Sequence, residues 1–262
     1  MCREAAATFL QQLRQSVPQI EERLNSPNGD WAALGVIDIR HMVYPLSQDT
    51  KLASKVIELM ILPILEEFSN KYHYNLQVAP AQNYYPDATF VDPSGCKFAL
   101  DIKTTYRVPG KPGEVSAMTL GTFTGYFRER SSTKNILYPY REYSGHFVLG
   151  VIYTRTDNLP QIVHSLPLEL VRLVPRVIRD LKVFVEYKYK IASDRPGSGN
   201  TKNIGSVRRI EQLLTGAGPF APYDEEVFDD YWMNYQTREM AGGTQPPYTN
   251  LQEYFRWKGE TR

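Results

Sequence analysis

The sequence predicts an α/β or α+β fold with a central mixed β-sheet and flanking helices, on two observations. Segments whose apolar residues recur with helical spacing alternate along the chain with segments that have strand character. One of the latter, residues 147–154 (FVLGVIYT), is a continuous apolar run of the kind found in strands buried on both faces. Helices and strands mixed in this way indicate an α/β or α+β architecture.

Helices are predicted at residues 4–24 and 50–70, where apolar side chains repeat at intervals of three and four. Pro18 is expected to interrupt or kink the first helix, and Pro63 is expected to bend or divide the second. Residues 224–257 are expected to be mainly helical, with loop breaks.

Five strands are predicted, at residues 74–78, 89–91, 97–106, 147–154 and 182–192. The sequence DPSG at residues 92–95 is a turn signal that joins the second of them to the third. The last strand alternates strictly, and one of its sides, mostly charged, is expected to face water or a polyanion: Lys182, Phe184, Glu186, Lys188 and Lys190. The residues that follow, 194–206, are rich in Gly, Ser and Asn and predict a long loop.

Composition and charge give the class of protein. The chain has 262 residues, of which 42% are hydrophobic, so it can bury a substantial core. Its net charge of +1 would not by itself predict a nucleic-acid partner. The charge is unevenly distributed, however: residues 181–210 carry seven basic and two acidic side chains, whereas residues 211–262 carry four basic and nine acidic ones.

The sequence also argues against several classes of protein. Two cysteines predict neither a disulfide framework nor a cysteine-rich zinc site. Neither a signal peptide nor a membrane-spanning segment is recognised, so a cytoplasmic protein without a membrane partner is expected. The four histidines lack the spacing of metal ligands and are expected to be structural or exposed.

The strongest chemical signal is Asp87 after a proline, followed fourteen residues later by Asp101-Ile102-Lys103. Asp101 and Lys103 lie two apart in a predicted strand and therefore share a face. The intervening turn can bring Asp87 beside them. Two carboxylates and an ammonium suit phosphodiester hydrolysis assisted by Mg²⁺, which prefers oxygen ligands.

Other interpretations of these residues are possible from the sequence. The same residues could be a turn aspartate and a surface Asp-x-Lys pair, although Asp101 follows an apolar run and would border the core unpaired. Glu58 could reach the metal site or lie on the exposed flank of its helix. Thr104 and Thr105 could donate hydrogen bonds to phosphate oxygens.

The loop GSGNTKNIGS, residues 197–206, is the second signal. Its small residues allow close approach to a ligand, and its Asn and Thr side chains can contact base edges. The phosphate-binding pattern GxxxxGK[ST] is absent, and a flexible linker is the other interpretation. The basic residues around the loop favour a role in nucleic-acid binding.

These stretches, with SQDTKLASKVIELM, QNYYPDATF and LDIKTTY, resemble the EcoRV-type type II restriction endonucleases of the PD-(D/E)xK nuclease superfamily. The resemblance covers most of the chain from about residue 40 onward. It implies a restriction-endonuclease-like fold in a single domain, 1–262. Its parts would be an N-terminal extension with a dimerisation helix (1–35), a catalytic core (36–160) and a DNA-recognition and helical part (161–262).

The resemblance also implies roles for particular residues. The metal ligands would be Asp87, Asp101 and Glu58, and the catalytic group would consist of these three and Lys103. The implied DNA contacts are Gln82, Asn83, Thr104, Thr105, Lys134, Gly197, Ser198, Gly199, Asn200, Thr201, Lys202 and Asn203. The pattern departs from the family at Ala81, Tyr84 and Lys202.

The implied activity is Mg²⁺-dependent cleavage of double-stranded DNA by a homodimer at a palindromic site. The recognition loop implies GATATC, cut centrally to give blunt ends with 5′-phosphates. A companion DNA methyltransferase is an expected partner. Two alternatives are a nuclease of the same fold that acts in repair or junction resolution, and a sequence-specific DNA-binding protein that no longer cleaves.

Overall fold

The computed structural model describes residues 2–81, 83–159, 164–197 and 202–259. Its centre is a mixed sheet of five strands in the order β3-β4-β5-β7-β9, in which only β5 and β7 run parallel. The strands are β3 (Asn75–Val78), β4 (Ala88–Val91), β5 (Lys97–Tyr106), β7 (Tyr143–Arg155) and β9 (Ile178–Tyr187). Among the described helices, none combines the length and the apolar character needed to cross a bilayer.

Three helices cover one face of this sheet: α1 (Cys2–Gln15), α2 (Val17–Leu24) and α3 (Thr50–Tyr72). The break between α1 and α2 falls at Ser16, and Pro18 lies in the first turn of the second helix. Helix α3 continues through Pro63 without a division, and Asp49 caps its N-terminus by accepting hydrogen bonds from the amides of Lys51 and Leu52. At the centre of this layer, the ring of Phe9 is surrounded by five aromatic side chains: Phe68, Tyr74, Phe90, Phe98 and Phe147.

The other face of the sheet carries a second apolar core with its own elements. These are the short sheet β10-β11-β6 and three helices. Their bounds are β6 (Thr119–Thr122), β10 (Ala192–Pro196), β11 (Asn203–Ser206), α5 (Ile210–Thr215), α6 (Glu225–Asn234) and α7 (Leu251–Lys258). Phe228, Tyr231 and Trp232 of α6 are completely buried in this core.

A small third sheet, β1-β2-β8, stands apart from both cores. It consists of β1 (Gly35–Ile37), β2 (Met42–Pro45) and β8 (Leu166–Pro167), and a 3₁₀ segment, Leu168–Leu173, follows it. Its apolar side chains are unusually exposed, with 96% of Ile39 and 67% of Leu173 accessible to solvent.

Three features differ from what the sequence predicts. Strand β9 ends at Tyr187, and the predicted strand continues instead as one helical turn, α4 (Lys188–Ile191). The side predicted to face water is largely buried: Phe184 belongs to the second core, and Glu186 and Lys188 are at most 2% exposed. The predicted long loop after residue 194 is a β10–β11 hairpin in the part that the structure describes.

The two cysteines form a disulfide bond, which the sequence analysis did not predict. Cys2 at the start of α1 is bonded to Cys96 just before β5, with their Cα atoms 5.9 Å apart. The bond fixes the first turn of α1 to the hairpin that carries the predicted catalytic residues.

Candidate active site

The β4–β5 hairpin positions the two aspartates. Ala88 pairs with Leu100, so Asp87 and Asp101 occupy neighbouring positions just beyond that pair. Asp92 holds the turn by accepting hydrogen bonds from the amides of Ser94 and Cys96. The Asp87 carboxylate reaches across to β5, where its Oδ2 accepts the amide hydrogen of Ile102 at 2.7 Å. The geometry thus follows from strand register and a short turn.

Lys103 lies between the two carboxylates. Its Nζ is 3.4 Å from Asp101 Oδ2 and 3.8 Å from Asp87 Oδ2. Burial opposes the charge on this ammonium, but Asp101 and Asp87 outweigh burial and raise the pKa of Lys103 above its usual value. The pKa of Asp87 is raised to about 6, chiefly by burial and also by the charges of Asp101 and Glu58, against the lowering effect of Lys103.

The donor set fits a divalent metal. Asp101 is 3% exposed, and among the described residues its buried Oδ2 faces the Lys103 ammonium at 3.4 Å and makes no shorter hydrogen bond. A buried carboxylate is costly unless a cation lies beside it, and the long contact with Lys103 leaves this oxygen able to bind a metal ion as well. Mg²⁺ typically takes one or two protein carboxylates and keeps several waters, which two aspartates can satisfy.

Glu58 is close to this site but is engaged elsewhere. Its Oε1 accepts a hydrogen bond from Lys55 Nζ at 2.7 Å, one turn earlier in α3. Within the described ranges, no three His, Cys, Asp or Glu side chains converge closely enough to hold a metal ion. The structure therefore brings Asp87, Asp101 and Lys103 together and leaves Glu58 at the edge of the group.

A cavity of about 680 Å³ extends from Asp87 along the first turns of α3. Glu58, Thr104 and Thr105 line it, together with three polar side chains of α3 that sequence reasoning missed: Lys51, Ser54 and Lys55. Their spacing from Glu58, of three, four and seven residues, places all four on one helix face. This helical spacing could have identified Lys51, Ser54 and Lys55 from the sequence.

The other predicted DNA contacts are distributed around the cavity. The Thr105 hydroxyl donates to the carbonyl of Ser116 and is therefore engaged within the protein. Lys134 is exposed, one residue before Asn135, whose carbonyl accepts the amide hydrogen of Tyr85. Asn83 is exposed in the turn that leads to Tyr85, and Gln82 lies outside the described residues.

The β10–β11 hairpin carries the predicted recognition loop. Gly197 donates its amide hydrogen to Asn203, and the Lys202 carbonyl accepts from Phe123. Gly197 and Gly205 face each other closely: a Cβ on Gly205 would lie 2.7 Å from the Gly197 Cα atom. Ser198, Gly199, Asn200 and Thr201 lie outside the described residues.

Among the histidines, His146 is buried on β7, where its Nδ1 is 2.6 Å from the Tyr85 hydroxyl. Burial, with a smaller contribution from Lys188, holds the pKa of His146 well below its usual value. A neutral, hydrogen-bonded imidazole in the second core is a structural histidine.

The raised pKa of Asp87 predicts a gain in stability when this carboxylate is removed. A folded pKa of about 6, above the usual 3.8, means that the neutral form stabilises the fold. This stabilisation is complete at low pH and is lost as the pH rises through 6. We expect Asp87→Asn to raise the unfolding free energy of the metal-free protein by about 2 kcal/mol at pH 7.5 and to change it little near pH ~4.

Urea unfolding in the presence of a chelator at both pH values measures this difference. Asp180→Asn makes the same chemical change at an exposed position of β9 and is the control. Lower stability of Asp87→Asn at pH 7.5 would show that the ion contact with Lys103 outweighs the cost of burial.

Comparison with known proteins identifies the family. The family model described as restriction endonuclease EcoRV matches residues 27–259. The type II restriction enzyme EcoRV of Escherichia coli is 36% identical over 237 residues, which span 89% of this chain and 94% of that protein. The predicted fold and family are confirmed: the chain belongs to the EcoRV family of type II restriction endonucleases.

Proposed function

We propose that this protein is a Mg²⁺-dependent site-specific deoxyribonuclease that cuts both strands of a palindromic duplex. The observation that carries the proposal is the Lys103 ammonium held between Asp87 and the buried Asp101, with Nζ 3.8 Å and 3.4 Å from their Oδ2 atoms. The reaction is attack of water on a phosphodiester phosphorus. The bond from phosphorus to the 3′ oxygen breaks, giving a 5′-phosphate and a 3′-hydroxyl.

Each residue has a definite part in this reaction. Asp87 and Asp101 would hold the cation, which lowers the pKa of a bound water and offsets the charge that develops on the phosphoryl oxygens. Lys103 Nζ, already beside both carboxylates, would orient the attacking water and place a positive charge near the phosphate. Glu58 would join only after release from Lys55. Thr104, Lys51 and Ser54 line the cavity where the DNA backbone would lie.

We propose GATATC as the recognised sequence, cut in the middle to give blunt ends. The support is the β10–β11 hairpin, which carries the loop from Gly197 to Asn203 next to basic residues, a composition suited to reading bases in the major groove. Gln82 and Asn83 would contact the DNA from a second, shorter loop. Lys134 and Thr105 remain predicted contacts with the DNA backbone.

Digestion of plasmid DNA containing one GATATC site, with Mg²⁺ and then with chelator, tests the proposal. We expect one linear product whose sequenced ends are blunt and carry 5′-phosphates, and no cleavage with chelator. Nicking that depends on DNA structure rather than sequence would favour a repair or junction-resolving nuclease. Binding without cleavage would favour a DNA-binding protein, and a different hexamer would refute GATATC alone.

We also propose that the protein acts as a homodimer joined through the small sheet β1-β2-β8 and the 3₁₀ segment after it. Ile37, Ile39 and Leu173 on this surface are more than half exposed, and a self-complementary patch around a two-fold axis would cover them and match a palindrome. Helix α1, predicted as the dimerisation helix, already buries its apolar face on its own sheet. Sedimentation at twice the chain mass of 30.1 kDa is expected, and sedimentation as a single chain would contradict the dimer.

A companion methyltransferase for the same sequence is part of this proposal, because an enzyme that cuts duplex DNA at a short site would also cut unprotected host DNA. Digestion of a plasmid methylated within GATATC is expected to be blocked.

The contact between Gly205 and Gly197 predicts a further effect on DNA binding. Because a Cβ on Gly205 would also lie 3.0 Å from the Gly197 amide nitrogen, Gly205→Ala must push the two strands of the hairpin apart. We expect amide hydrogen exchange in residues 192–206 to accelerate and specific DNA affinity to fall about tenfold, the effect of one or two lost base contacts.

Gly197→Ala is the control for the exchange measurement, because its Cβ would lie an ordinary 3.4 Å from the Gly205 Cα atom. Unchanged exchange in Gly205→Ala would show that the hairpin absorbs the extra carbon without opening.

A further inference from the structure

Lys188 is a charged side chain enclosed within the second core. It begins α4, directly after β9, and is 1% exposed. By sequence, Lys188 is one of the basic residues near the recognition loop, but because it is buried it cannot contact DNA. A buried ammonium is retained in a fold only when nearby groups compensate its charge.

The ammonium lies behind the candidate active site. Its Nζ is 4.5 Å from the centre of the Tyr85 ring, and Tyr85 precedes Pro86 and Asp87. Gly121 makes room for it, because a Cβ there would be 3.2 Å from Lys188 Nζ. The φ angle of Gly121, +111°, also favours glycine at this position.

The charged groups around Lys188 come from two elements, β5 and α6. Burial lowers its pKa to about 8, while Asp101 raises it, Lys103 lowers it, and Asp229 and Glu225 of α6 raise it. The sheet register brings the two residues to neighbouring positions: Asp101 of β5 is paired with Val148 of β7, which is paired with Glu186 of β9, two residues before Lys188. Asp229 is already bound to Arg130 at 2.8 Å, so its charge is shared.

We propose that Lys188 is a positioning residue of the active site: a fixed positive charge behind Asp101 that sets how strongly the two aspartates attract a divalent metal. This inference rests on the proposed metal-dependent nuclease. Together with Lys103, Lys188 balances the charges of Asp87 and Asp101 when no metal is bound. It therefore weakens metal binding, and it adds positive charge beneath the position where the phosphate would react.

The sign of the effect distinguishes this role from a structural one. Removal of a buried cation near the metal site must strengthen metal binding, since repulsion between like charges is lost. Loss of a merely structural contact would leave metal binding unchanged or weaken it, because the carboxylates would be held less well.

The test is Mn²⁺ binding to the DNA-free protein at pH 7.5, followed by the electron paramagnetic resonance signal of the free ion. Lys188→Met, of similar length and without charge, is expected to bind Mn²⁺ about tenfold more tightly than the wild type. Lys190→Met removes the same charge from the same helical turn, where Nζ lies over the rings of Tyr187 and Tyr189, and should stay within about twofold.

Lys188→Gln, which is neutral but keeps a polar end in this position, is measured in parallel in case Lys188→Met folds poorly. Circular dichroism checks that both variants are folded. Affinity equal to or lower than that of wild type in the folded variant overturns the proposal. Cleavage of plasmid DNA by the wild type is recorded with the same preparations. Failure of that cleavage refutes the nuclease function, whereas the Mn²⁺ comparison decides the role of Lys188 separately.

Discussion

Asp101→Asn is expected to reduce the rate of DNA cleavage by about 10⁴-fold while the protein remains folded. Asp101 offers a buried carboxylate beside Lys103, and an amide in its place binds a divalent cation far more weakly. A bound metal is worth several kcal/mol in the transition state, and each 1.36 kcal/mol is a factor of ten in rate. Single-turnover cleavage at saturating DNA measures the chemical step.

The amide has the shape of the carboxylate, so the core around Leu100 and Ile102 should be preserved. Asp180→Asn, on β9 of the same sheet, controls for the chemical change and is expected to cleave at the wild-type rate. Cleavage by Asp101→Asn within tenfold of wild type would remove Asp101 from the mechanism. Added Mn²⁺, which binds nitrogen and oxygen ligands more tightly than Mg²⁺, should restore part of the lost rate.

Lys103→Met is expected to lower the cleavage rate by about 10³-fold with little effect on DNA affinity. Its Nζ lies within 3.8 Å of both carboxylates, and a positioned group that orients or deprotonates water typically contributes 10²–10⁴ in rate. Methionine keeps the length of the side chain but has neither the charge nor the donors. Comparison of single-turnover rates with DNA affinity in Ca²⁺ separates chemistry from binding.

Lys97→Met is the matched control, on the same strand and the same face. Its Nζ contacts Glu142 at 3.2 Å and the Tyr138 ring, away from the two aspartates. We expect wild-type cleavage from this variant. A parallel loss in DNA affinity and rate for Lys103→Met would instead make Lys103 a DNA-binding residue.

The β4–β5 hairpin was predictable because its determinants are local. The apolar residues of 97–106, the DPSG turn and the two-residue spacing of Asp101 and Lys103 lie within one short stretch, and the bounds of β5 agree with the prediction. The likeness of the recognition loop to the family depended equally on a contiguous stretch. Such local signals do not require knowledge of the tertiary packing.

The burial of Lys188 was not predictable in the same way. Alternation from residue 182 onward predicted an exposed charged side, but the end of β9 and the helices packed on it are long-range features. The closeness of Cys2 to Cys96, 94 residues apart in sequence, is another. The periodicity of a sequence indicates the secondary structure of a segment, whereas the burial of its side chains depends on which distant segment packs against it.

Helix α1 has a consequence for the boundaries of the folding unit. The family match begins at residue 27, yet Phe9 of α1 contacts five aromatic rings, including Phe98 of β5 at 4.7 Å. A chain shortened to the matched region would leave a void of aromatic size beneath the hairpin that holds Asp101. The region that matches the family is therefore smaller than the unit that must be present for the protein to fold. Helix α1 is as much a part of the enzyme as the strands that resemble those of its relatives.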